Sequence, residues 1–240
     1  MTSATPRIGF DRFIDLNWLI AALRVREGNV GVDQLGQLLD QAALGVAARK
    51  KTRTVLNRLW LEPRPDLAAF AGRGIEIFRD TSDASATTLS WGMAIAAYPF
   101  FGQVAELVGR LSSLQGDCTS AEIHRRMSEV YGEREGTYRM TNMVLQSQAN
   151  WGVIKRMDHG KRLVRCEVLK VTDERLAEWL VEAVLRFINK PLSATSIRSM
   201  PVIFPIALPP ALAFIASRSS FLELRSEGPG SQLIALRSAF

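Results

Sequence analysis

Apolar residues recur every three or four positions through most of this chain, which predicts a mainly α-helical protein. Phe13, Leu16, Ile20 and Leu23 mark a first helix over 11–27, broken by "GNVG" at 28–31. Leu35, Leu38 and Leu39 mark a second. A third runs over 49–61, with Val55, Leu56 and Leu59 on its apolar side and Pro63 and Pro65 closing it. The polar stretch "RDTSDASATT" at 79–88 reads as a linker, so 1–80 is expected to form an N-terminal helical domain.

Beyond that linker the pattern becomes more specific. Phe100, Val104, Leu107, Val108 and Leu111 form a helical stripe that ends at "QGD", 115–117. "TSAE" at 119–122 has the spacing of a capping box, and the helix it starts carries Ile123, Met127 and Val130 before Gly132 stops it. His124 is expected on the surface of this helix. The turn "EREG" leads into "TYRMTNMVLQSQANWG", where Met140, Met143, Val144 and Ser147 share one face. Two strand-like runs follow, 153–155 and 163–169, joined by "DHGK", in which Gly160 is able to take positive φ. A closing helix over 171–188, capped by Thr172, presents Leu176, Leu180, Val184 and Ile188 for packing or for a homodimer contact.

Three helices followed by a hairpin is the order of a winged helix-turn-helix. The expected fold is therefore mainly α: a helical region at 1–80, a winged helix-turn-helix with a small β-hairpin wing at 89–190, and a C-terminal extension at 191–240. That extension holds the apolar, proline-rich stretch 201–216, then "FLELRS" and "LIALRS" around "EGPG", which read as a hairpin. Neither 201–216 nor the apolar run at 91–101 reaches the roughly 20 residues of a membrane span, and both are expected to be buried core.

Charge sharpens this picture. The chain carries a net charge of +6, and the excess is concentrated. Residues 137–170 hold seven basic residues against two acidic ones, and 41–61 hold Arg49, Lys50, Lys51, Arg53 and Arg58 with none. Such concentration suits phosphates, because each neutralised phosphate releases condensed counterions. The expected partner is double-stranded DNA. On the third helix of the central unit Arg139, Asn142 and Gln146 lie at i, i+3 and i+7, with Tyr138 beside them. Arg suits guanine, and Asn and Gln suit adenine, in a major groove. Lys155, Arg156, His159, Lys161, Arg162 and Arg165 would meet phosphates or a minor groove from the wing. Arg49, Lys50, Lys51 and Arg53 form a second basic patch, read first as a solvated helix face.

Catalytic chemistry finds no foothold. Cys118, His124, His159 and Cys166 are separated by five, 34 and six residues, unlike zinc-ligand pairs. "GRG" at 72–74 lacks the third glycine of a dinucleotide site, and no GxSxG or phosphate-loop motif occurs. The expectation is a non-enzyme with no cofactor. Two cysteines and no signal-peptide core over residues 1–10 point to the reducing cytoplasm. A winged helix that binds a partner protein, using 201–216 as an exposed docking surface, is the alternative. An RNA-binding role is a third reading, disfavoured because a major-groove helix does not suit A-form RNA.

The layout resembles the BrxA family of the BREX bacteriophage-exclusion systems over roughly residues 40–190. The resemblance rests on "ARKKTRTVLNRLWLEP", "SWGMAIAAYPFFGQVAELVGRL" and "REGTYRMTNMVLQSQANWGVIKR". It implies DNA binding without catalysis, beside other defence proteins of one locus; transcription control is the other expected setting.

Overall fold

Asp15 opens the first helix, α1 (Leu16–Glu27), by accepting a hydrogen bond from the Asn17 amide at 2.8 Å, and Gly28 closes it at φ 91°. The helix thus starts later than the apolar spacing suggests, and Phe13 lies outside it. The computed structural model describes residues 8–226, 228 and 232–237. Two short helices follow, α2 (Val32–Gln41) and α3 (Val46–Leu56), the latter running into a π-helical turn, Asn57–Leu61. Then come α4 (Pro65–Thr81), α5 (Ala86–Ala97) and α6 (Pro99–Gln115), each of α4 and α6 with proline in its first turn, where no amide partner is needed. The molecule is mainly helical, 66% helix and 12% strand, with small sheets.

The expected linker at 79–88 is replaced by helix. α4 runs through Thr81, a 3-10 turn covers Ser82–Ser85, and Ser85, Ala86 and Thr88 are buried. Two hydroxyls of the corner satisfy each other, Thr81 Oγ1 lying 2.5 Å from Ser85 Oγ. Polar composition here marks a tight helical corner.

The central unit begins with α6, whose end Gly116 takes φ 85°, and a short strand, β1 (Asp117–Thr119). α7 (Ser120–Tyr131) has the capping box that the sequence predicts: Thr119 Oγ1 accepts from the Glu122 amide, and Glu122 accepts from the Thr119 amide at 2.8 Å. α8 (Glu135–Asn150) follows, then β2 (Ile154–Met157) and β3 (Arg162–Arg165). The two strands are antiparallel, with Lys155 opposite Val164 and Arg156 opposite Leu163, and β1 adds to the far side of β3. Their connection is a 3-10 turn in which Asp158, His159 and Gly160 all have positive φ.

The C-terminal part closes over the core. β4 (Leu169–Lys170) leads to α9 (Glu174–Ile188), capped by Asp173 rather than by Thr172. α10 (Ala194–Arg198) follows, β5 (Ile206–Ala207) pairs in parallel with β4, and α11 (Leu212–Arg218) comes next. β6 (Leu222–Ser226) and β7 (Gln232–Leu236) form the predicted hairpin, although of its "EGPG" turn only Gly228 falls within the described residues.

One apolar cluster runs from Phe10 to Ile234 through all three expected segments. Trp179 of α9 stacks on Phe70 of α4 at 4.2 Å and donates to the Phe70 carbonyl, with Trp60 beyond it at 6.4 Å. Glycines let these helices approach: a Cβ on Gly92 would strike Trp179, one on Gly102 the ring of Phe187, and one on Gly109 the Pro201 carbonyl. Val202, Ile203, Phe204, Ile206, Leu208, Leu212, Ile215 and Ala216 are buried. Most of the large apolar side chains of 201–216 are therefore core, as the composition suggests, while Phe214 of α11 is exposed. Among the described residues no helix is long and apolar enough to cross a membrane.

Candidate nucleic-acid interface

Helix α8 buries Thr137, Met140, Thr141, Val144, Leu145, Ser147 and Gln148 and leaves the opposite side to solvent. Tyr138 and Arg139 are exposed there, while Asn142 and Gln146 are half-buried on the same stripe. Asn150 continues it at i+11 from Arg139, a residue the helical period places on this face and the sequence reading omitted.

Strand alternation sorts the hairpin cations into two sets. Ile154, Arg156, Leu163 and Arg165 share the face turned towards the helices, and Lys155, Met157, Arg162 and Val164 share the other. Arg156 is accordingly half-buried and donates to Asn142 Oδ1 at 2.9 Å. Arg165 departs furthest from its expected place. Its Nε donates to Ser112 Oγ at 2.6 Å, its Nη2 to the Gly109 carbonyl, and its guanidinium lies 5.3 Å from the centre of the Phe204 ring. Arg165 is thus a staple between β3, α6 and the 201–204 turn, not a surface cation. Its place two residues from the buried Leu163 carried that information.

Lys155, Lys161 and Arg139 are exposed and have no carboxylate partner among the described residues. Arg162 is exposed but paired, with Asp117 at 3.2 Å and Asp158 at 4.0 Å. His159 stands at the tip of the turn in the left-handed region, φ 56°. Of the exposed hairpin cations, then, Lys155 and Lys161 have no carboxylate partner among the described residues, with His159 between them at the tip.

His124 is not a surface residue. Only 7% exposed, it stacks on Tyr138 with ring centres 3.9 Å apart, and its Nδ1 is buried without a partner. Burial and then the Arg156 charge hold its imidazole below the usual histidine range. Burial likewise lowers the Arg156 guanidinium. His124, Tyr138, Arg156 and Asn142 thus form one packed set joining α7, α8 and β2. Nothing in the sequence spacing links these four residues across 33 positions.

The second basic patch is divided as well. Arg49 pairs with Asp40 at 2.8 Å and Lys51 with Asp11 at 3.6 Å, whereas Lys50 and Arg53 are exposed and unpaired among the described residues. No family model, curated protein or solved structure matches the chain.

Proposed function

We propose that this chain is a non-catalytic double-stranded DNA-binding protein that works through a winged helix-turn-helix formed by α6, α7, α8 and the β2–β3 hairpin. The observation carrying this reading is the element order α6, β1, α7, α8, β2, β3 with strand order β1-β3-β2, which sets a hairpin bearing Lys155 and Lys161 beside the stripe of α8. In that arrangement α8 enters the major groove and the hairpin engages the backbone next to it. Arg139, Asn142 and Gln146 face base edges, with Tyr138 at the groove's rim. Arg156 acts as a positioning residue: its bond to Asn142 Oδ1 fixes the amide while the Asn142 Nδ2 group remains a donor. Burial of most of 201–216 weakens the alternative, a protein-interaction scaffold, which invoked that stretch as its docking surface. Work beside the other proteins of a phage-defence locus, as the BrxA resemblance implies, or in transcription control, belongs to this same proposal.

Binding to a random 40-base-pair duplex across a salt series tests it. Affinity is expected to fall steeply with salt, and K155Q/K161Q to flatten the slope of log K against log salt by about 1.8 for every sequence. Lys155 and Lys161 are chosen because Arg162 already has carboxylate partners. An unchanged slope would remove the hairpin from the mechanism, and no binding at low salt would overturn the reading.

A further inference from the structure

We infer that a duplex lying along α8 runs on past the C-terminal end of that helix and meets a second phosphate-binding face, made by Lys50 and Arg53 of α3. The inference rests on the DNA reading above and extends its footprint.

The connection is built from the end of α8. Its 16 residues span about 24 Å, and its polar stripe ends at Asn150. There the chain segment before α1 crosses the helix terminus. Asn150 Nδ2 donates to Asp15 at 2.9 Å, the Leu16 amide donates to Asn150 Oδ1 at 2.7 Å, and the Ile14 amide donates to Ser147 Oγ at 2.8 Å. Trp151 Nε1 closes the clasp on the Ile14 carbonyl at 2.9 Å. Asp11, four residues earlier, holds Lys51 of α3 at 3.6 Å. Four residues reach at most about 14 Å, the rise of roughly four base pairs. The clasp and the Asp11–Lys51 pair thus tether α3 to the C-terminal end of α8, the end towards which a duplex following the stripe would run.

The face it would meet has one sign. Residues 46–61, α3 and its π-helical turn, contain five basic residues and no acidic one. Thr52, Val55 and Leu56 are buried, which turns Lys50 and Arg53 outward. Arg49 and Arg53 stand at i, i+4 and Lys50 and Arg53 at i, i+3, spacings at which like charges destabilise a helix. An ordinary solvated face relieves this with interspersed carboxylates. Among the described residues Arg49 and Lys51 find them, on other elements, and Lys50 and Arg53 do not. Of the carboxylates along the route, Asp11 is paired with the Lys51 charge, and Asp15 is turned to the Asn17 amide and the Asn150 side chain as the cap of α1. A phosphate backbone is the anion whose spacing and length suit this row.

Fluorescence anisotropy with a 12- and a 30-base-pair duplex tests the inference, comparing wild type, K50Q/R53Q and the charge-matched control K190Q/R198Q. The short duplex covers about one helical turn and is filled by α8 and the hairpin. K50Q/R53Q is expected to lower the salt slope on the long duplex by about 1.8 and to leave the short one unchanged, with the control unchanged on both. Equal slopes for K50Q/R53Q and wild type on the long duplex overturn the inference. So does an equal loss on both duplexes, or an equal loss in the control. If wild type binds neither duplex, the DNA reading itself has failed.

Discussion

His124 stands where α7, α8 and β2 meet, and a proton there is unwelcome. The ring is stacked on Tyr138, its Nδ1 is buried without a partner, and the Arg156 guanidinium is the charge that faces it from β2. A folded-state pKa held below the ordinary histidine value of 6.5 means that the unfolded chain binds the proton more readily. The contribution to stability is therefore complete above pH 6.5 and is lost as the pH falls through that value towards the lower folded one. Thermal melts of wild type at pH 7.5 and 5.5 are expected to differ by more than those of His124→Phe, which keeps the stack and cannot titrate. The chain's other histidine, His159, is present in both proteins and so cancels from the comparison. Equal pH sensitivity in the two proteins would rule out a role for the imidazole. Unlike the capping box, which is local in sequence, this coupling joins residues that only folding brings together.

At the scale of elements, local chemistry was legible and packing was not. Proline, glycine and the Thr119–Glu122 box place helix ends correctly because caps act within four residues. The face of α7 is less certain from spacing alone. Ile123, His124, Met127 and Tyr131 are buried while Val130 is half exposed, because Tyr131 finds the Phe100 ring edge-on at 4.8 Å. A single aromatic partner on another helix rotated the buried stripe by about one residue. Glycine contacts show the same limit: nothing near Gly109 in sequence announces that Pro201 will lie against it. Gly109→Ala would force a methyl into the Pro201 carbonyl and shift the Phe204 side chain. Overpacking of this kind costs about 2 kcal/mol, or about 4–8 °C in Tm for a chain of this size. Circular dichroism melts check this, and an unchanged Tm would mean that α6 and the 201–204 turn separate freely.

Across the whole molecule, the expected boundary near 79–88 is crossed by the largest side chains. Trp179 lies between Phe70 and Trp60, and Trp151 reaches the Ile14 carbonyl. Residues 89–190 expressed alone would leave Trp179 without its stacking partners, with an exposed apolar face in place of a core. Such a fragment is expected to bind a hydrophobic dye and to lack a cooperative melt, while the intact chain melts in one transition by both fluorescence and circular dichroism. A fragment with a sharp transition of its own would show that the central unit is independently stable. Polar composition misleads at 79–88 because a helical corner satisfies its hydroxyls internally, whereas a linker satisfies them with water.

The Arg165 staple has a mechanical consequence. Bonded to α6 and laid against Phe204, it anchors the root of the hairpin to a buried helix and to the 201–204 turn packed on it. A hairpin fixed in this way keeps its tilt when a ligand arrives, so adaptation passes to the other partner. On the proposed reading it is the duplex that must narrow, widen or bend its groove to fit. Sequences that deform cheaply would then be preferred at positions no side chain touches, a selectivity of shape over letters.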